Sequence, residues 1–269
     1  MFKKTKELIL NTWKNANQSA TVHQVKNPEI DIKVILILIY TAVGLTVVKY
    51  FGSPACFLSA ITQNSSDFQK GFYTYFFSST MGNFHRLLWW ISTIVIIYLV
   101  IPIGIIRLGF KEKVREYGFC FANVKNDYPL YLTMLIIMIP IVFIASSTKG
   151  FQAIYPIFKP EKNHLFPLFF LWQMAYLVQF IAVEFFFRGF MIHGIKNRFG
   201  AYAVFVSTIP YCMIHFGKTF EETIAAIIAG IILGTLSLKS RSIFLGVIIH
   251  YSVAITMDLF SLWRKGFFS

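Results

Sequence analysis

Apolar runs of membrane-crossing length recur along this chain with little between them, and this spacing sets the fold class before any other feature. A hydrocarbon core about 30 Å thick is crossed by ~20 apolar residues in a helix, which satisfies its own backbone polar groups. Seven spans are predicted, at residues 34–51, 87–106, 128–145, 165–195, 201–216, 223–238 and 242–263. The fourth, as one helix, would be ~46 Å long, so its second half is expected to tilt, to kink near Gly189 or to emerge. The class is all-α, a polytopic transmembrane helical bundle of about seven spans. Composition agrees: 56% of residues are hydrophobic and 14% charged, where soluble domains carry about 25% charged residues.

Three regions follow: a basic segment at 1–33, an N-terminal transmembrane region with loops at 34–164, and a region at 165–269 that carries polar groups inside its apolar runs. The first segment, with Phe2, Ile9 and Trp13 at roughly helical spacing, is either an amphipathic helix on the membrane surface or an untethered tail. Between the first two spans lies an uneven stretch, polar at Asn64 to Asp67 and aromatic from Phe72 to Phe77, suited to an interface.

The net charge of +13 does not point to nucleic acid, because the basic residues sit in short loops with no stripe of stacking aromatics. Membrane lipids are the expected partners, and an integral, multi-pass membrane location follows. Fifteen basic residues fall on the side of the N-terminus and nine opposite, so that terminus is expected to be cytoplasmic unless residues 52–86 hide a further crossing. Cys56, Cys120 and Cys212 form neither a metal knuckle nor a disulfide framework, no cleavable leader is expected, and no internal repeat or nucleotide-binding loop is present.

Ionisable residues at membrane depth cost at least ~2.5–3.5 kcal/mol on insertion scales and mark functional sites. Five stand out: Glu184 and Arg188 in the fourth span, His215 at the end of the fifth, and His250 and Asp258 in the seventh. Glu184 and Arg188 are one helical turn apart and can neutralise each other, so Arg188 is expected to be structural. Counted along their helices, Glu184 and His215 fall at similar depth, and His250 and Asp258 bracket that level. Two chemistries suit such a pocket. A carboxylate and an imidazole can activate water while a second imidazole stabilises an oxyanion; alternatively Glu184, His215 and His250 are three ligands of a divalent metal such as zinc.

The run from Glu184 through Arg188 to Phe190, then Pro210 through His215 to Lys218, then His250, resembles the three motifs of the CPBP (Abi) intramembrane proteases, which include the CAAX prenyl endopeptidases. The likeness spans about residues 165 to 263. It implies an endopeptidase acting on a peptide or membrane protein near the membrane, with Glu184, His215 and His250 as its site. The sequence departs from the family pattern in three places. Val183 stands where the family's first motif, E-E-x-x-x-R, has the Glu implied to activate water; Tyr211 replaces Phe in F-x-x-x-H; and Ala254 replaces the polar residue of H-x-x-x-N/D. Asp258, one turn further on, is expected to compensate as a second polar partner near His250. Lys218, Glu221 and Glu222 either line the pocket mouth or form a solvated loop. The departures fit either a branch with a rearranged site or an inactive scaffold, such as an immunity or maturation protein. A transporter is a third class, for which no repeat symmetry speaks.

Overall fold

The computed structural model describes residues 2–26, 30–61, 66–79, 81–121, 124–160 and 165–268. Among the described residues there is no strand. The helices are α1 (Phe2–Lys26), α2 (Ile32–Phe51), α3 (Pro54–Ile61), α4 (Ser66–Tyr73), α5 (Gly82–Gly109), α6 (Val124–Ala145), α7 (Lys149–Ile154), α8 (Leu168–Phe199), α9 (Tyr202–Met213), α10 (Phe220–Ser240) and α11 (Phe244–Arg264). Of these, α2, α5, α6, α8, α10 and α11 are long and apolar enough to cross a membrane. The protein is a polytopic helical bundle and an integral membrane protein.

The fifth predicted span is shorter than its apolar run. Helix α9 has 12 residues, about 18 Å, and stops at Met213. Its ladder then tightens: His215 N–H donates to the Cys212 carbonyl and Lys218 N–H to that of His215. The Thr219 side chain next caps α10 by accepting from the Glu222 N–H, so α9 and α10 form a hairpin with His215 at its bend.

Residues 52–86 hold no crossing helix among their described residues. Trp89 Nε1 donates to the Phe51 carbonyl at 2.7 Å, which brings the end of α2 to the start of α5. Residues 62–65, with Asn64 and Ser65 of the polar stretch, lie outside the described residues. At the other end of the bundle Lys33 pairs with Glu112, and Lys239 with Asp127, so the loops grouped with the N-terminus gather there.

Helix α1 is not an untethered tail: it is docked on the bundle. Its inward stripe packs on the hairpin, with Trp13 Nε1 donating to Thr235 Oγ1 at 3.0 Å and its ring edge-on to Phe205. The Asn17 side chain accepts from the Ala201 N–H at 2.8 Å, beside Gly200, whose positive φ leaves no room for a Cβ. Apolar burial and these bonds together outweigh the attraction of its lysines to an interface.

At the centre of the bundle runs α8, where Phe185, Phe186, Phe187 and Phe190 are fully buried. Between Phe185 and His193 the helix widens to π-helical i→i+5 spacing, with Gly189 inside the widened part. A Cβ on Gly189 would stand 2.8 Å from the Tyr117 carbonyl, so glycine admits the neighbouring loop. The expected irregularity is therefore a change of winding around Gly189, and the helix continues to Phe199. In α5, Pro102 is flanked by two π-helical stretches, the local re-spacing that a missing N–H demands.

Candidate active site

Glu184 ends the regular part of α8 immediately before the π-helical stretch, and its carboxylate is fully buried. Oε1 lies 2.8 Å from His250 Nδ1 and Oε2 lies 3.3 Å from Arg188 Nε. Opposite, on α11, Gly246 makes the approach possible, because a Cβ there would stand 2.8 Å from Glu184 Oε2. One buried carboxylate is thus shared between a guanidinium on its own helix and an imidazole on another. Arg188 has the structural pairing expected of it.

Tyr211 closes the other side. The Arg188 guanidinium lies 3.9 Å above its ring centroid, its hydroxyl is 3.4 Å from His250 Nε2, and its carbonyl is 2.8 Å from His215 Nδ1. A carbonyl only accepts, so His215 Nδ1 carries its hydrogen and Nε2 is left as the acceptor in the neutral ring. By the same rule the carboxylate at His250 Nδ1 makes that nitrogen the donor and Nε2 the acceptor. His215 is buried, and no hydrogen bond joins it directly to Glu184 among the described residues.

His250 is the member with access, its side chain being 18% exposed against none for Glu184. Deep in the cluster, Arg188 Nη1 and Nη2 and Glu184 Oε2 have no hydrogen-bond partner among the described residues. Glu184, Arg188 and His250 are thus joined directly, and Tyr211 reaches His250 through its hydroxyl and His215 through its carbonyl.

The donors do not compose a three-ligand metal centre. No three His, Cys, Asp or Glu side chains converge on a cation position among the described residues.

Asp258 belongs to a different cluster. It is fully buried and accepts from the Ile157 N–H at 3.0 Å, Trp172 Nε1 at 3.2 Å and Gln173 Nε2 at 3.0 Å, strapping the segment after α7 to α8 and α11. Lys218 donates to Glu222 at 2.5 Å and to the Tyr155 hydroxyl at 2.8 Å, and that hydroxyl donates to Glu222 at 2.8 Å. Burial works against the Lys218 charge, but Glu222 outweighs it and holds the ammonium above its ordinary range. Lys218 and Glu222 therefore form a closed pair. Val183 and Ala254 are both buried in apolar clusters, Ala254 in the one that contains Trp172 and Phe180.

Residues 165–256 match the family model described as type II CAAX prenyl endopeptidase Rce1-like. This stretch, about a third of the chain, is similar to that family. The Rce1-like segment holds Glu184, Arg188, Tyr211, His215, His250 and Ala254, and ends two residues before Asp258, in line with the separate placement of Asp258. No curated protein and no solved structure matches the chain.

Sequence reasoning named Glu184, Arg188, His215 and His250 but missed the part played by Tyr211 and Gly246. The Tyr-for-Phe exchange in the second motif was the available signal for Tyr211; a lone glycine gave none for Gly246.

Proposed function

We propose that this protein is an intramembrane endopeptidase of the CAAX-protease type, hydrolysing a peptide bond near the membrane through Glu184, His250 and His215. The observation that carries the reading is the fully buried Glu184 carboxylate on Nδ1 of the partly exposed His250, within the Rce1-like segment. A carboxylate on one imidazole nitrogen fixes the tautomer and leaves the other nitrogen to take a proton from water. Glu184 thus orients the neutral His250, which is the general base, and stabilises the imidazolium that forms, while Arg188 pairs with the same carboxylate. His215 lines the same wall one turn beyond Tyr211, with its Nε2 as an acceptor for water or substrate. The basic loops gathered at one end support a cytoplasmic N-terminus.

The test uses the full chain in liposomes and a fluorogenic peptide that ends in a prenylated CAAX sequence. Wild-type protein is expected to cleave it, and Glu184→Gln to lower kcat by about 10³-fold while remaining folded, because a neutral amide loses the charge and the tautomer control. Equal turnover of the two proteins would remove the Glu184–His250 couple from the mechanism. A second reading, an inactive scaffold, draws on the apolar burial of Val183 and Ala254, and absence of wild-type cleavage in this assay would favour it.

A further inference from the structure

The Rce1-like segment departs from the resembled motifs at Ala254 and at Tyr211. Ala254 lies one turn from His250 and is buried among apolar side chains, so it has no hydrogen-bond donor to offer the reaction. Tyr211 adds a hydroxyl that the Phe of the resembled motif lacks, and that hydroxyl lies 3.4 Å from His250 Nε2. We propose that Tyr211 is a catalytic residue of this protein, its O–H donating a hydrogen bond to the oxygen of the substrate carbonyl beside His250 Nε2. The proposal rests on the endopeptidase reading and extends it.

The surroundings fix the group. The Tyr211 ring is 2% exposed, packs edge-on to Phe187 and His215, and cannot swing away without opening the core. The guanidinium above its face draws electron density from the ring and makes the hydroxyl a stronger donor. The bond to Nε2 is long for its type, so a small rotation of the hydroxyl exchanges Nε2 for another acceptor nearby.

In the reaction, His250 Nε2 takes one proton from water as the water oxygen bonds to the carbonyl carbon, and the carbonyl electron pair moves onto its oxygen. Tyr211 keeps its proton and donates a hydrogen bond to that oxyanion. Collapse restores the carbonyl and breaks the C–N bond, and the proton on Nε2 passes to the leaving nitrogen. In the resting state the same O–H caps Nε2.

The experiment measures cleavage of the prenylated fluorogenic peptide in liposomes by wild type and Tyr211→Phe. Tyr211→Phe is expected to lose on the order of 10²-fold in kcat with KM changed less than about threefold. Wild-type kcat in Tyr211→Phe overturns the proposal while leaving the endopeptidase reading intact; no cleavage by wild-type protein overturns both. Should Tyr211→Phe fail to fold, 3-fluorotyrosine at position 211 keeps the ring and hydroxyl but strengthens the donor. Its kcat is then expected to change, and an unchanged value overturns the proposal.

Discussion

Helices α6 and α8 are both apolar and both long enough to cross a bilayer, yet 11% of the α6 span is buried in protein against 56% of the α8 span. Mean hydropathy runs the opposite way, 2.2 for α6 and 1.6 for α8. A helix facing lipid must be apolar all round, because nothing beside it can satisfy a polar side chain. A helix enclosed by others can carry a carboxylate and a guanidinium, provided that they meet. Lower hydropathy inside the bundle is thus the mark of a site, and higher hydropathy outside it the mark of a wall.

The contrast sharpens when the same kind of group is removed from each region. Arg188→Ala is expected to have the largest effect on stability, about 3–5 kcal/mol, because it leaves the Glu184 carboxylate buried with only His250 as partner. Unfolding in detergent measures it, and a loss below 1 kcal/mol would mean that the pair is solvated and that α8 is no more enclosed than α6. Asp258→Asn comes next. Three donors converge on this carboxylate, and an amide offers one oxygen and an NH₂, so at least one donor is orphaned at a cost of about 1–3 kcal/mol. Turnover per folded molecule should stay near that of wild type, which separates the strap from the site.

Gly246→Ala tests the close approach of α11 to α8. The added methyl should push Glu184 off His250 and reduce turnover by about tenfold, although alanine favours the helix by up to ~1 kcal/mol. A more stable and equally active variant would show that the carboxylate needs no such confinement.

The smallest effect belongs to the outer region. Burial raises the Glu112 carboxyl, but hydrogen bonds from Lys33 and Tyr117 and the Lys33 charge outweigh it, so its pKa lies below the ordinary 4.5. A depressed carboxyl contributes stability above its unfolded value and loses it as pH falls through the folded one. The clamp between α2 and the segment after α5 should therefore loosen only below about pH 4.5. Because Glu112 is a third exposed, the change should be under about 1 kcal/mol. Hydrogen exchange in residues 110–118 as a function of pH checks this, and loosening near neutral pH would contradict it.

The long helices were legible because a 20-residue apolar run has few other uses. The short α9 was not: its run continues to Phe216, and the capping Thr219 beyond Gly217 announces a new helix without saying where the old one stops. Depth arithmetic put Glu184 level with His215, with His250 and Asp258 bracketing that level, whereas the carboxylate meets His250; which imidazole it meets depends on how α8 winds through Phe185–His193, and π-helical spacing leaves no pattern in composition. Asp258 was legible as buried and unreadable in its partners, since Ile157, Trp172 and Gln173 lie about 85 to 100 residues away.

Helix α1 sets an order in time. Its Trp13 bonds to Thr235, 222 residues later in the chain, and Asn17 to Ala201. At translation rates of about 5–20 residues per second, the surface that receives α1 is complete roughly ten to forty-five seconds after α1 itself has been made. Throughout that interval its apolar stripe has no protein to cover it, and the bilayer surface, which suits a basic amphipathic helix, is the natural place to wait. Helix α1 is then made well before the surface on which it docks, and its docking reports that the hairpin has been inserted.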